Sequence, residues 1–201
     1  MRELDHAADI LMSGGTVIFP TDTVLGLGAH ALKKDAIEKI YEIKGRDRNK
    51  PINILISDID KLASLVEPLN KIEEKLAETF WPGPLTLILK LKESNINLYN
   101  FTKSDGTIGI RIPKSEIARE IIRKSGGIVA TTSVNLSGDE PAILVSEINP
   151  IIKEKVDYII NQNESSTREP STVVKVEDET INILRQGALS MSDLESALKR
   201  G

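Results

Sequence analysis

Lys44, Arg46, Arg48 and Lys50 stand at every second position of the segment KGRDRNKP. In an extended backbone that period points all four cations to one side. Like charges so arranged repel one another unless an anion lies among them. Just upstream, PTDT sets the hydroxyls of Thr21 and Thr23 and the carboxylate of Asp22 between a strand-like TVIF and the glycine pair Gly26 and Gly28. A basic ribbon beside such a turn suits a phosphorylated small molecule. A solvated face is the commoner fate of a Lys/Arg run. Here the period of two, and the apolar INILI that follows Pro51, favour the anion site.

Three further pieces carry polar chemistry. In TTSVNLSG, Ser133, Asn135 and Ser137 alternate, so a strand end can present all three together; the alternative is an Asx or Ser turn. Arg111 near the end of TIGIRI can hold a carboxylate through both guanidinium nitrogens, or form a surface ion pair of little worth. Arg185 in LRQG precedes a turn. Asp22 fits a general base, or more commonly a turn-capping aspartate. The phosphate loop G-x-x-x-x-G-K-[ST] is missing, the third glycine of a dinucleotide fingerprint is missing, and so is the G-x-S-x-G serine elbow.

Composition narrows the field. The 201 residues, 40% hydrophobic and 28% charged, fit one soluble globular domain. The net charge of −4 makes any phosphate attraction a local matter. There is no cysteine and there are only two histidines, so no thiolate or histidine metal centre is expected. No apolar run reaches membrane-spanning length, and a cytoplasmic location is the expectation.

The elements that must position these residues follow from pattern. Helices are expected over 3–13, from an Asp35/Glu38 capping box, briefly around 59–66, from Asn70/Glu73 to Trp81, and from Ser115 to Gly126. A weaker helix is expected in SEINPIIKEK, and a closing one from a Ser192/Glu195 box. TVIF, INILI, LTLILKL, TIGIRI, IVATT, VDYII, STVVKV and INILR read as strands, the last two as a hairpin across EDET. Residues 92–105 and 161–170 read as polar loops, and the sequence does not say whether they close over substrates. Helices interspersed with strands and a hairpin predict an α/β (α+β) fold with a mixed sheet.

In order, GGTVIFPTDTVLGLGA, KGRDRNKP, WPGPLT, TIGIRIP, TSVNLSG, EPSTVV and LRQG resemble the YrdC family, best understood as threonylcarbamoyl-AMP synthases of the TsaC type. The resemblance spans nearly the whole chain. It implies a twisted mixed sheet of about seven strands, flanked by helices around a concave cationic cavity. It implies conversion of L-threonine, bicarbonate and ATP to threonylcarbamoyl-adenylate and pyrophosphate. A transferase complex would then place the group on tRNA, and the resemblance also allows direct tRNA contact by this chain. Magnesium would arrive with ATP, with no organic cofactor and no dedicated metal site.

By position, Thr23, Arg111 and Thr131 match the family's threonine site. Lys44, Arg46 and Lys50 match its nucleotide and phosphate contacts and are the expected electrostatic catalysts, with no protein nucleophile. Thr107, Ser133, Ser171 and Arg185 match further ATP contacts; Asn135 completes the S-x-N signature and shapes the pocket. Asn161 falls where the family places another threonine contact. Leu25 stands in place of the family's usual tyrosine, and Leu55 where many synthases carry histidine. The chain stops near residue 201, so the short, single-domain type is expected. The competing reading is an RNA-binding or ribosome-assembly protein using the same cavity without catalysis. Only 3% aromatic residues and a negative net charge weigh against it. Carbamoyl transfer of the hydrogenase-maturation kind would need partner domains that this chain lacks.

Overall fold

Alternation along the strands decides which face of the sheet each side chain meets. The computed structural model describes residues 2–92, 106–162 and 169–199; most of the two expected polar loops lies outside them. The chain runs α1 (Arg2–Ser13), β1 (Thr16–Phe19), β2 (Gly26–His30), α2 (Lys34–Lys44), β3 (Asn53–Ile56), α3 (Lys71–Phe80), β4 (Leu85–Lys90) and β5 (Thr107–Arg111). It continues through α4 (Glu116–Lys124), β6 (Ile128–Ser133), α5 (Pro150–Lys155), β7 (Tyr158–Ile159), β8 (Thr172–Glu177), β9 (Thr180–Arg185) and α6 (Met191–Lys199). Short 3-10 turns lie at Ile59–Ser64 and Val145–Glu147.

Nine strands form one sheet in the order β7-β1-β2-β6-β3-β5-β4-β8-β9. The β1/β7, β3/β5 and β4/β8 pairs are parallel. The other pairs are antiparallel, so the sheet is mixed as expected. The family resemblance implies about seven strands and the pattern reads eight; the one that the pattern leaves out is β2. No strand is expected at Gly26 and Gly28 from the sequence, yet they lie inside this one. A Cβ at Gly28 would overlap the Phe19 ring, and one at Gly26 would overlap the Thr131 methyl. Close packing demands glycine there, and glycine's low strand propensity hides the strand.

On one face, Ile18, Leu27, Ile54, Leu87, Ile110 and Val174 pack with α2, α3, α5 and α6 in one continuous core. On the other, Val17, Phe19, Leu55 and Val129 meet Ala7 and Leu11 of α1 and Ala118, Ile121 and Ile122 of α4. That second cluster stops part-way along the sheet. Beyond it the same face carries Asn53, Thr131 and Ser133, which register places side by side with Gly26 and Gly28. Next come Gly109 opposite Ile88 and Thr107 opposite Lys90. Among the described residues, no helix covers the sheet over the polar strip.

Two helix starts are as the sequence reads. Asn70 Oδ1 accepts from the Ile72 and Glu73 N–H groups, and Glu73 returns the bond to Asn70 N–H. Ser115 Oγ accepts from Ala118 N–H at 2.9 Å. Two others differ. Helix α2 begins after Lys33 without a side-chain cap; Glu38 is taken by an ion pair with Arg48 instead. The box of α6 is Ser190 with Asp193, two residues before the expected pair. Aspartate serves the returning bond as well as glutamate does.

Candidate active site

The KGRDRNKP segment is not an extended ribbon. Helix α2 runs through Lys44, and Gly45 closes it in the left-handed region at φ 57°. The chain then turns at 46–50, so the four cations diverge. The Lys44 ammonium points inward, donating to the carbonyls of Ser133 (2.5 Å) and Asn135 (2.7 Å) and to Asn135 Oδ1 (2.8 Å). Burial, with a smaller push from Arg46, lowers its pKa to about 7. Arg48 turns away to Glu38 and the Tyr41 ring. Arg46 and Lys50 alone of the four reach the open face.

Two connected hollows occupy that face. The inner one, about 100 Å³, is lined by Thr21, Thr23, Leu25, Leu55, Thr131 and Ser133 on one side. Thr86, Arg111, Ser171 and Arg185 complete it. The outer one, about 300 Å³, adds Asn49, Lys50, Ile88, Thr107, Gly109, Val173 and Leu184. Arg46, Pro51, Asn53 and Arg185 border both. A larger groove of about 900 Å³ between α3 and the 59–64 turn is mainly apolar around Leu62, Val66 and Trp81 and contains none of the expected site residues.

Three guanidinium groups converge on these hollows, each held by the protein before any ligand arrives. Arg46 donates from Nε to the Lys50 carbonyl and from Nη2 to the Pro51 carbonyl, at 3.1 and 3.0 Å. Arg185 donates to the Ser171 carbonyl and hydroxyl. Ser171 is itself fixed by Thr86 Oγ1 at 2.8 Å. Arg111 spends Nε on the Gly83 carbonyl, Nη1 on Thr23 Oγ1 and Nη2 on Asp22 Oδ1. Burial lowers the pKa of all three, and Arg185 is pushed further by the charges of Arg111 and Arg46. Of the three, Arg111 is paired with a carboxylate, that of Asp22. The concentration of positive charge favours an anion.

Most expected residues therefore meet. Thr23, Arg111, Thr131, Ser133, Ser171, Arg46 and Arg185 line the inner hollow; Lys50 and Thr107 line the outer. Lys44 and Asn135 stand behind the wall. Asn135 Oδ1 accepts from Ser133 Oγ at 2.6 Å, and its amide bonds the Leu136 and Asp139 carbonyls. Asn161 is elsewhere, its N–H on Glu3. Asp22 is neither a simple turn cap nor a poised base, since Oδ1 is shared by Arg111 and the Lys114 N–H. Sequence reading passed over Thr86 and Asn53. Both oppose the apolar positions of their own strands, Leu85 and Leu87 in one and Ile54 and Ile56 in the other. That alternation was the available signal.

A family model named for Sua5, YciO and YrdC, and described as telomere recombination, matches residues 9–187. A Methanocaldococcus jannaschii protein, provisionally named a threonylcarbamoyl-AMP synthase, is 37% identical over 96% of this chain and 89% of its own length. The threonylcarbamoyl-AMP synthase of Bacillus subtilis is 34% identical, covering 98% of this chain but 56% of the relative. The structure of Pyrococcus abyssi Sua5 complexed with L-threonine superimposes with a TM-score of 0.88 at 33% identity, over 97% of this chain and 57% of that one. With the sheet, the motif order and the matched span in agreement, this chain belongs to the Sua5/YciO/YrdC family.

Proposed function

We infer that the chain is a threonylcarbamoyl-AMP synthase, a nucleotidyltransferase that performs the first step of threonylcarbamoyladenosine formation in tRNA. The observation that carries this reading is the convergence of Arg46, Arg111 and Arg185 on a small hydroxyl-lined hollow that opens into a larger one. The relatives' names and the threonine complex of a related protein support the substrate.

Arg111 with Thr23 and Thr131 suits the carboxylate and hydroxyl of threonine in the inner hollow. Arg46, Lys50, Thr107, Ser171 and Arg185 suit the nucleotide in the outer one. The threonine amine bonds to the bicarbonate carbon as a C–O bond breaks and water leaves, giving a carbamate. A carbamate oxygen bonds to the α-phosphorus of ATP as the bond to the bridging oxygen breaks and pyrophosphate departs. Negative charge builds on the phosphate oxygens, where guanidinium groups already fixed to carbonyls need little reorganisation. Lys44 differs from the expected phosphate contact: its three donors are spent on Ser133 and Asn135, so it acts by holding the Ser133 wall. Magnesium enters with the nucleotide as part of the substrate. The product passes to a transferase complex in the cytoplasm; among the described residues no helix is long and apolar enough to cross a membrane.

The test is pyrophosphate release from ATP with and without L-threonine and bicarbonate. Release that needs both is the expected result. No release under any combination overturns the reading, and salt-sensitive tRNA binding without ATP binding would put the RNA-binding alternative in its place.

A further inference from the structure

Strand β3 sends Ile54 and Ile56 into the core, and so Asn53 faces the open side. Asparagine is depleted in strands, where a β-branched residue packs better. Asn53 borders both hollows, with Arg46, Pro51 and Arg185. Of these four it alone spends no polar side-chain or carbonyl group in the bonds described above: Arg46 and Arg185 donate to carbonyls and the Pro51 carbonyl accepts. Among the described residues the Asn53 carboxamide makes no hydrogen bond. Its neighbour on β5 is Gly109, where any Cβ would overlap the carboxamide oxygen. The amide therefore lies against bare backbone, half-buried, at the junction of the two hollows. An amide of intermediate burial with no partner in the protein contributes no hydrogen bond to the fold. Such local conflicts collect at functional sites.

We propose that Asn53 is a substrate-contacting residue of the synthase reaction, its carboxamide donating to the α-phosphate where the carbamate attacks. The assignment rests on the synthase reading above. The carbamate oxygen forms its bond to phosphorus, the bond to pyrophosphate breaks, and Asn53 exchanges no proton. Its N–H strengthens as charge grows on a non-bridging oxygen, a contribution to kcat more than to KM.

The test is Asn53→Leu, which keeps the volume and removes the donor, with Asn53→Ser as a smaller polar variant. Steady-state pyrophosphate release by the full chain and thermal unfolding are measured together. For Asn53→Leu, kcat falls about 100-fold or more with KM for threonine little changed, and the unfolding midpoint stays level or rises. Asn53→Ser, which retains a donor, is less impaired. Unchanged kcat in Asn53→Leu, or a loss that follows a lowered midpoint, overturns the assignment. An active wild type with an unaffected variant sinks this assignment alone; an inactive wild type sinks the synthase reading and this assignment with it.

Discussion

The Lys44 ammonium lies 2.8 Å from Asn135 Oδ1, deep behind the wall that Ser133 presents to the inner hollow. Both residues belong to motifs that the sequence suggested would touch the ligand. They touch each other instead, and Ser133 is what they hold out.

That arrangement gives a pH effect with a definite sign. Burial lowers the Lys44 pKa from its usual 10.5 to about 7. Between that value and 10.5 the unfolded chain binds the proton and the folded chain does not, so the Lys44 contribution to stability rises with pH. The difference in unfolding midpoint between wild type and Lys44→Met should grow in favour of wild type from pH 6 to pH 9. A nucleotide polyphosphate favours the charged form. Calorimetry at pH 7 in two buffers of different ionisation heat should therefore show proton uptake on ATP binding in wild type and a smaller uptake in Lys44→Met.

Arg46 and Arg48 are separated by one residue but by the whole thickness of the turn. Arg46→Ala should lower kcat/KM for ATP by about 100-fold, the order found when one fixed donor to developing charge is removed. Arg48→Ala should stay within about twofold, because Arg48 pairs with Glu38 away from the hollows. Equal losses in the two variants would restore the extended basic ribbon.

Asp22 should matter to the fold as well as to the site. Its pair with Arg111 has side-chain exposures of 12% and 7%. Removing one partner of a buried pair leaves an uncompensated charge and costs about 3–5 kcal/mol. Asp22→Ala should show a loss of that order in denaturant unfolding. Lys39→Ala, which breaks a pair exposed at 45% and 41%, should cost less than about 1 kcal/mol.

Leu25 and Leu55 give the inner hollow an apolar side. A hydrophobic wall reads a missing methyl at about 10- to 200-fold. Serine should accordingly be used less well than threonine by a factor in that range, measured as kcat/KM in the pyrophosphate assay. Leu55→Ala should narrow the gap.

The pattern of strands and caps was legible where one local rule settled the matter. Alternation in LTLILKL, the Asn70/Glu73 box and the Asp178–Glu179 hairpin turn all follow from neighbours in sequence. Strand β2 was hidden because its glycines answer to Phe19 and Thr131, contacts made only in the folded sheet. The site motifs were legible as a set, but their roles were not. A period of two assumed extended backbone, whereas the helix held to Lys44 and Gly45 turned the chain, separating Arg46 from Arg48. Asp22 was ambiguous because its partner, Arg111, is distant in sequence. Alternation with Ile54 and Ile56 sets Asn53 on the opposite face from the core, but the two hollows that it joins are formed by residues distant in sequence.

The strand order also sets a timetable. Strand β6 inserts between β2 and β3, and β4 is flanked by β8, which brings Ser171 and Arg185 to the hollows. As the chain leaves the ribosome, its first 111 residues carry Arg46 and Arg111 but lack the strands that complete their surroundings. Three arginines cannot be concentrated until residue 185 has emerged. Pairings across such long stretches form slowly. Catalytic competence should thus switch on late in synthesis, with incomplete chains unable to consume ATP.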